Sequence, residues 1–509
     1  MQLNYIFETK IKLKSLESIS IILFISVILS PVIVFTLFNK KQKSNHSTSS
    51  QITRSLAFIS FVLASFFINI IEINIFLSVF WIILSVFIIR KSYYNQSILK
   101  DRLGLEILFI SVSFIVINIF FFNNSRWIIA SSMMISFLAS SFVEIFGMYF
   151  PIRNFKVTSD TKSIGGSLAF FTSAVATILL LSSYFVNHYL NTDVLFSSYL
   201  ILVAVMVAFI LTVFEVILSD GLDHLFVPVF CGFLLYIFLL EQDSALLLGF
   251  SLGAAIALII VVLSYYVKFL TLSGSTATFL LASFIFGFGG LKWSIPIMAF
   301  FILSSILSKI RKRVNDEVEK YFEKSGVRDH WQVVANGGIG GILIILNLIY
   351  PSELFYFIYV SSLAAVCADT WATEIGTMYK TKTYNILTFK QVEQGLSGGI
   401  SLVGTLGGML GAMIIAFSGL YWIEINNIYF VLFIIISGVV GSIFDSLLGA
   451  TIQAQFECGI CGKMTEKEFH CNKITMHKKG FNWLNNDLVN LLAGIGGGIF
   501  ILIFKGLLS

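Results

Sequence analysis

The sequence predicts an all-α, polytopic integral membrane protein of about 16 transmembrane helices in two parallel-oriented, related halves. Of its 509 residues, 57% are hydrophobic and 12% are charged, which excludes a soluble globular protein of this length. Apolar runs of roughly 17–25 residues recur from end to end, and each can cross about 30 Å of hydrocarbon. A similar order of polar motifs in both halves indicates an internal repeat.

Each predicted helix follows one apolar run and ends where polar residues, glycine or proline return. In the first half, residues 1–240, the runs lie at about 17–38, 54–71, 74–90, 103–122, 126–147, 164–186, 195–218 and 224–240. In the second half, residues 241–509, they lie at about 246–268, 274–288, 292–308, 333–350, 354–376, 396–418 and 427–452. A last helix begins near Asn485.

The net charge of +5 is spread over short loops, so it indicates membrane topology and not a nucleic-acid partner. Lysine and arginine concentrate in four loops, at 153–162, 309–330, 377–394 and 455–486. The positive-inside rule predicts that all four face the cytoplasm, in a bacterial cytoplasmic membrane. Most charges of 309–330 fit a solvated amphipathic helix, and the candidate exceptions are Arg328, Asp329 and His330, with Asn336 just beyond.

The stretch from Ser361 to Ser401 carries the strongest functional pattern. Asp369, Thr373 and Gly376 fall at i, i+4 and i+7, so they share one helix face. A carboxylate at the centre of a membrane helix costs roughly 2.5–3.5 kcal/mol, so Asp369 requires a partner. The small Gly376 leaves room for that partner to approach. A satisfied interhelical aspartate beside a glycine packing seam would explain the same pattern without any catalysis.

The following loop predicts a phosphate site. Exposed amides at a helix start, with lysines beside them, bind phosphate. The residues expected to do so are Lys390, Gly395, Ser397, Gly398 and Gly399, and the Gly395–Gly399 segment is expected to open the next helix. Together with carboxylates from Asp369 and Glu374, such a cradle suits a magnesium–nucleotide complex.

The same outline recurs around the chain. In the first half, Glu144 ends one helix, and Lys162-Ser163 with Gly166-Ser167 begin the next. Glu215 and Asp223 follow near the end of a third helix, although Asp223 also fits a solvated turn. In the second half, Asp445 lies in a polar stripe of a membrane span, where an unpartnered carboxylate is costly. Asn486 and Asp487 then open the final helix.

The last polar loop contains a candidate zinc site. Cys458 and Cys461 form a CxxC pair, and Cys471 and His477 follow it. The first pair has the spacing of a structural zinc knuckle, whereas the second pair is irregular. Ordinary reduced thiols are the alternative interpretation.

These motifs carry resemblances to two families. Residues from about 100 to 240 resemble the phytol kinase/dolichol kinase family through Glu144–Gly147, Lys162-Ser163, Gly166-Ser167, Glu215, Gly221–Leu225 and Pro228. Residues from about 245 to 509 resemble the transmembrane protein 19-like family, which includes the plant phytyl-phosphate kinase. The second resemblance rests on Ser273-Gly274, Asn336–Gly338, Asp369–Gly376, Gly441–Gln453 and Asn485–Asn490.

The resemblances imply CTP-dependent phosphorylation of an isoprenoid alcohol and then of its monophosphate. Under this hypothesis the catalytic acids are Asp369, Asp445, Asp487, Glu144 and Glu215, and Mg²⁺ is held by Asp369, Glu374, Asp445 and Asp223. Nucleotide contacts come from the 390–399 cradle, from Lys162, Ser163, Gly166 and Ser167, and from Asn486. The first half departs from its family at Ser140, where many kinases carry an aspartate, and at His224, where asparagine is usual.

Two other functions fit the same broad pattern. A secondary transporter also has many helices and internal repeats, but its polar groups are expected at the membrane midplane. Here the polar groups cluster at helix ends on one membrane face, which favours nucleotide chemistry. A catalytically degenerate lipid-binding membrane protein is the third possibility.

Overall fold

The computed structural model describes residues 45–67, 71–95, 98–121, 125–190, 197–240, 242–315, 326–423 and 429–508. The chain divides into two compact units, Met1–Leu247 and Leu248–Ser509. Long helices dominate both units, and short antiparallel strands occur only in the loops between the described helices. The predicted helix at 17–38 lies outside the described residues.

The first unit is built from seven helices in the part of the chain that the structure covers, with one hairpin between the fourth and the fifth. They are α1 (Asn45–Phe67), α2 (Ile71–Asn95), α3 (Ile98–Phe121), α4 (Arg126–Tyr149), α5 (Ile164–Leu190), α6 (Ser198–Ile217) and α7 (Asp223–Leu235), the last continuing as a π-helical turn, Tyr236–Leu240. The hairpin pairs β1 (Asn154–Lys156) with β2 (Thr161–Ser163), and α5 follows it directly.

The second unit contains most of α8 (Ser244–Tyr266) and six further helices. They are α9 (Leu272–Val314), α10 (His330–Ile349), α11 (Glu353–Met378), α12 (Leu402–Gly419), α13 (Tyr429–Thr451) and α14 (Asn486–Leu508). Between α11 and α12, β3 (Thr383–Asn385) pairs with both β4 (Gln391–Val392) and β5 (Gly399–Ile400). Between α13 and α14 lie β6 (Gln455–Glu457), β7 (Met464–Thr465), β8 (Phe469–His470), β9 (Lys473–Ile474) and β10 (Met476–Lys479).

Thirteen helices of the described segments are long and apolar enough to cross a membrane, so the protein is an integral, multi-pass membrane protein. The predicted count of about 16 is not confirmed by the described residues, which do not include the predicted helix at 17–38. The helices expected at 274–288 and 292–308 are confirmed as the two parts of α9, which are separated by a break at Gly290. Gly290 has φ 55° and ψ −156°, a conformation that other residues rarely adopt. The apolar segment of α1 that the structure describes, Arg54–Ser65, is shorter than a span.

Helix α11 lies at the centre of the second unit, where it packs against α9, α10, α12, α13 and α14. Its middle, Ser361–Ala368, is buried throughout. Glycines of the neighbouring helices allow this close packing: a Cβ placed at Gly408 of α12 would lie 2.9 Å from the Ala368 carbonyl oxygen. Small residues at helix contacts are the usual way in which membrane helices approach each other closely. The packing fixes the position of the polar C-terminal turns of α11.

Candidate functional site

A cavity of about 240 Å³ lies in the second unit at the C-terminal end of α11. The C-terminal parts of α9, α11 and α13 meet the N-terminal turns of α10, α12 and α14 around it. Predicted site residues that line the cavity are Asp369, Glu374, Gly395, Ser397, Gly398, Gly399, Asp445, Asn486 and Asp487. Residues separated by more than a hundred positions in sequence are therefore brought together in one cavity.

Helix ends give this cavity a mixed electrostatic character. A helix N-terminus carries a partial positive charge and exposes N–H groups, whereas a C-terminus carries a partial negative charge. The N-terminal turns of α10, α12 and α14 favour an anion, and the C-terminal turns of α9 and α11 favour a cation. Such a cavity suits a ligand that combines both charges.

The carboxyl groups of Asp369 on α11 and Asp445 on α13 lie in the same cavity, close enough to interact electrostatically. Oδ2 of Asp445 is buried and has no hydrogen-bond partner among the described residues. The amide oxygens of Asn336 and Asn490, which also line the cavity, are likewise buried without a partner in that part of the chain. Two adjacent buried carboxylates repel each other when both are ionised. Either one of them binds a proton, or a cation lies between them. The cavity thus presents a set of oxygen ligands.

Two arginines supply positive charge to the same cavity. Arg311 is 2% exposed, and its Nε donates to Oε2 of Glu374 over 2.7 Å. Ser308 Oγ donates to the other oxygen of Glu374 over 2.6 Å. Both carboxylate oxygens of Glu374 are therefore engaged within the protein. This arrangement differs from the predicted role of Glu374 as a magnesium ligand, because the carboxylate instead holds a guanidinium at the cavity wall.

Arg328 precedes α10, and its guanidinium lies over the rings of Phe300 and Phe301, 5.2 and 5.4 Å from their centroids. Burial lowers the pKa of Arg328 to about 10, and the nearby Glu374 opposes that shift. The side chain consequently remains charged at neutral pH. The following residue, Asp329, begins α10 with a capping box that includes Gln332.

The Gly395–Gly399 segment lines the cavity, but it does not open a helix as predicted. It forms a turn and strand β5, and α12 begins only at Leu402, where Ser401 Oγ accepts from the Gly404 amide over 3.0 Å. Gly398 has φ +77°, and a Cβ there would lie 2.5 Å from that of Ala450. The Gly399 amide donates to the Leu396 carbonyl over 3.0 Å, so this amide is not directed to a ligand.

Lys390, the lysine predicted to contact phosphate, lies outside the cavity. It is exposed beyond the turn between β3 and β4, where its carbonyl accepts from the Asn385 amide over 2.9 Å. The hairpin carries it away from the helix ends. Gly376 also differs from expectation, because a Cβ there would lie 3.0 Å from Cα of Gly404. The space beside Gly376 is filled by α12 and not by a partner for Asp369.

Two residues that line the cavity, Arg311 and Glu466, are not among the predicted site residues. Arg311 was assigned to a solvated helix, although Ser304, Ser308 and Arg311 fall at i, i+4 and i+7 and are all buried. That spacing was the available signal. Glu466 belongs to the cysteine-containing loop, and its Oε1 accepts from Ser397 Oγ over 2.5 Å and from Gln453 Nε2 over 3.0 Å. No local pattern around Glu466 indicates these contacts.

In the first unit, the predicted acids are bound by the chain's own cations. Arg54 forms ion pairs with Glu144 and, at 3.3 Å, with Glu106. Lys162 Nζ lies 2.7 Å from Glu215, so the lysine predicted to bind phosphate is engaged by a buried carboxylate.

Three other predicted residues lie at helix starts in the first unit. Ser163 Oγ accepts from the Gly166 amide over 3.1 Å and so caps α5. Ser167 Oγ is buried with no partner in the described segments. Oδ2 of Asp223 lies 4.0 Å from Nδ1 of His224. Together with the ion pairs of Arg54 and Lys162, these contacts form a cluster in which both cations are paired with carboxylates of the chain.

The cysteine loop groups a different histidine from the one predicted. Ligand atoms of Cys458, Cys461, His470 and Cys471 all lie within 4.8 Å of one another. His477 is not part of this group, because β10 pairs it with Phe456 of β6, and the two rings lie 5.6 Å apart. The assignment of His477 to the zinc site is therefore wrong.

Fold and site together define a polytopic α-helical membrane protein whose second unit holds a buried carboxylate pair and two arginines at helix ends. The sequence profile described as integral membrane protein DUF92 matches residues 255–498. An uncharacterized membrane protein of Methanocaldococcus jannaschii is 32% identical over 212 residues, which cover 42% of this chain and 76% of that protein. The chain belongs to the DUF92 integral membrane protein family.

Two plant relatives from Arabidopsis thaliana also match. Protein PGR is 26% identical over 254 residues, or 45% of this chain and 87% of the relative. Protein VTE6, chloroplastic, is 28% identical over 242 residues, or 46% of this chain and 65% of the relative. No solved structure matches the chain. The resemblance of residues 100–240 to phytol and dolichol kinases stays a prediction.

Proposed function

We propose that the protein is a membrane phosphotransferase that transfers the γ-phosphoryl group of a nucleoside triphosphate, CTP, to an isoprenoid alcohol or its monophosphate. The observation that carries this proposal is the pair of acids Asp369 and Asp445 in one cavity that Arg311 and Arg328 also line. The sequence resemblance to the family that includes the plant phytyl-phosphate kinase, and the match to a chloroplast protein, support the class of substrate.

The ligands fit magnesium. Mg²⁺ prefers oxygen ligands and is usually bound through one or two carboxylates, with water and phosphate completing its shell. Asp369 and Asp445 offer the carboxylates, and Oδ2 of Asp445, which is buried without a partner among the described residues, supports a cation site there. Mg²⁺ bound there would neutralise charge on the triphosphate during transfer. Asp487, at the start of α14, and Asn490 lie on the same cavity wall.

The arginines are placed for the anionic part of the ligand. A guanidinium offers a planar set of donors that matches phosphate geometry. Glu374 orients Arg311, and two phenylalanine rings support Arg328. Phosphoryl transfer breaks the bond between the γ-phosphorus and the bridging oxygen and forms a bond to the acceptor oxygen, which releases the nucleoside diphosphate. An alcohol acceptor also loses its proton to a carboxylate, whereas a monophosphate acceptor has none to lose.

The lipid part of the acceptor has an apolar route to the cavity. Met409 of α12 and Ile443 of α13 line the cavity, and they are 40% and 42% exposed on the outer surface of the helices. Val439 of α13 adds to the apolar lining. An isoprenoid chain lying in the bilayer would pass between α12 and α13 and present its polar head to the carboxylates.

The test is a phosphoryl-transfer assay on purified protein with Mg²⁺, CTP or ATP, and a panel of isoprenyl alcohols and monophosphates. We expect phosphorylation of at least one isoprenoid acceptor, dependent on Mg²⁺ and absent in Asp369→Asn. Solute uptake into proteoliposomes without nucleotide consumption, together with no transfer to any acceptor, would overturn the proposal and favour a transporter.

A further inference from the structure

The loop between α13 and α14 contains a turn of the kind that binds metal through two cysteines. The Cys458 amide donates to the Lys463 carbonyl over 3.0 Å, and the Gly462 amide donates to the Cys458 carbonyl over 2.8 Å. Gly462 has φ +67°, which lets the chain reverse directly after Cys461. The turn brings the Sγ atoms of Cys458 and Cys461 within 4.8 Å of each other.

A β-hairpin supplies the second pair of ligands. Strands β8 and β9 pair Phe469 with Ile474 and His470 with Lys473. The two residues of the turn, Cys471 and Asn472, have φ 51° and 59°, as a tight two-residue hairpin turn requires. Nδ1 of His470 thereby lies 3.2 Å from Sγ of Cys471 and 3.7 Å from Sγ of Cys461.

The ligand atoms lie close to the spacing that tetrahedral zinc requires. Zn–S bonds of about 2.3 Å and Zn–N bonds of about 2.0–2.1 Å place the ligand atoms of a tetrahedral site roughly 3.5–3.8 Å apart. The four ligand atoms here lie within 4.8 Å of one another, and the Nδ1 distances to Cys461 and Cys471 are 3.7 and 3.2 Å. Three thiolates and one imidazole favour zinc over the hard cations Mg²⁺ and Ca²⁺. The cysteines are free thiols in the structure.

We propose that Cys458, Cys461, His470 and Cys471 bind one structural Zn²⁺. All four protein ligands are present, so the site is closed and leaves no position for a reacting molecule. The strands of this loop contain only two to four residues each, and so small a folded segment has little apolar core to hold it. Zinc would provide the crosslink that the core does not.

The zinc loop also delivers a side chain to the cavity. Glu466 lies between the cysteine turn and the hairpin, and it contacts Ser397 and Gln453 at the cavity wall. Fixing both ends of this segment with one metal ion holds the carboxylate of Glu466 in place. We therefore expect metal removal to loosen the loop over the cavity. This expectation depends on the geometry of the cavity and not on the activity proposed for it.

The first test is the metal content of full-length protein purified in detergent without chelators. We expect about one zinc ion per chain in the wild type and in His477→Ala, the matched control from the same loop. Cys461→Ser, Cys471→Ser and His470→Ala are expected to lose most of it. Because these variants could fold poorly, the wild type is also exchanged into Co²⁺, which should give thiolate charge-transfer bands and the strong visible bands of tetrahedral coordination.

Three results would overturn the proposal. The first is wild-type protein that contains no zinc and gives no tetrahedral Co²⁺ spectrum. The second is a disulfide among these cysteines, detected by mass spectrometry. The third is zinc that is lost in His477→Ala but retained in His470→Ala.

A second measurement tests the role of the metal. Chelation should accelerate tryptic cleavage at Lys463 and Lys467 in the wild type, and re-addition of Zn²⁺ should reverse it. Unchanged cleavage would refute the structural role, whatever the outcome of the phosphotransfer assay.

Discussion

At the scale of single residues, the site depends on which polar groups share the cavity. Asp369 and Asp445 lie on different helices. Burying two carboxylates side by side costs free energy, and a proton or a cation between them lowers that cost. Glu374 has the opposite role, since both of its oxygens are bound by Ser308 and Arg311. Two acids in the C-terminal part of α11, Asp369 and Glu374, therefore have different roles because their partners differ.

The first prediction concerns the carboxylate pair. Asp369→Asn and Asp445→Asn keep the side-chain shape but remove the charge that would hold the metal–nucleotide complex. We expect the rate of transfer to fall by at least about 100-fold in each, as when a single electrostatic contact to a transition state is removed. Glu353→Gln is the matched control, because Glu353 is exposed at the other end of α11. Near-normal rates at limiting Mg²⁺ in either variant would remove that residue from the site.

The second prediction separates the arginines from Lys390. Replacing Arg328 by lysine keeps the charge but loses the planar set of donors, so KM for the nucleotide should rise about ten-fold, which corresponds to ~1.4 kcal/mol. Lys390→Ala should change KM by less than about two-fold, because Lys390 lies outside the cavity. The two values are measured in the same phosphotransfer assay. A large effect of Lys390→Ala with none from Arg328→Lys would restore the original assignment of Lys390.

At the scale of elements, the position of α11 depends on glycines of its neighbours. Gly404, Gly407, Gly408 and Gly411 of α12 each lie where a Cβ would come within 3.0 Å of α11 or of the helix-capping Ser401. Contacts of this kind use van der Waals packing and small residues, since lipid offers no hydrophobic driving force between helices. The cavity is built on this contact, because α11 and α12 both line it.

The third prediction follows from that contact. Gly408→Leu inserts a side chain where the Ala368 carbonyl oxygen and the Ala372 Cβ would lie 2.9 and 3.2 Å from the new Cβ. We expect overpacking to lower the free energy of unfolding by roughly 1–3 kcal/mol. The variant should therefore unfold at a lower temperature in detergent and lose activity. Leu406→Val, on the exposed side of the same helix, is the control and should behave as wild type. Equal unfolding temperatures for the two variants would contradict the packing argument.

The fourth prediction concerns the two ends of α11, which a membrane-spanning helix places on opposite faces. We expect the loop at 377–394 to face the cytoplasm, because it is rich in lysine. A membrane-impermeant thiol reagent should therefore label Glu353→Cys in intact cells, and it should label Lys390→Cys only after permeabilisation. Wild-type protein corrects for the native cysteines. Labelling of Lys390→Cys from outside would reverse the assigned topology.

At the scale of the whole molecule, the chain consists of two units with different site chemistry. Among the described residues, Oδ2 of Asp445 in the second unit lines a cavity without a partner, whereas Glu144 and Glu215 of the first unit each form an ion pair with Arg54 or Lys162. The DUF92 match covers residues 255–498 and so falls in the second unit. These observations support a kinase site in the second unit, and they leave an activity of the first unit as a separate hypothesis.

The fifth prediction tests the two units independently. Asp369→Asn should block phosphorylation of an isoprenyl monophosphate. Glu215→Gln, which removes the partner of Lys162, should affect only use of the free alcohol, if the first unit is active. Wild-type protein that phosphorylates the monophosphate but never the alcohol would identify the first unit as a scaffold. Equal loss of one single activity in both variants would contradict a two-site arrangement.

Much of this architecture could be predicted because it depends on local properties of the chain. A long apolar run has few alternatives to a membrane helix, and the polar ends of the runs around Asp369, Asp445 and Asn486 do line one cavity. The helix break at Gly290 and the start of α5 after Ser163 were also visible, since glycine and capping serine act on their immediate neighbours. Helix boundaries near loops were less accurate, as the delayed start of α12 at Leu402 shows.

The sequence by itself determined the class of protein, the location of its polar helix ends and the cysteine turn, because each is encoded within one short segment. Only the tertiary structure decided the partners. Arg311 donates to Glu374, which lies 63 positions further along the chain. Lys390 lies outside the cavity because it follows the turn between β3 and β4. His470 joins the cysteines because β8 and β9 fold it back, whereas pairing of β10 with β6 withdraws His477. Long-range packing determines which side chains become partners. Residue type and spacing alone cannot specify which of several equivalent side chains lies at a site.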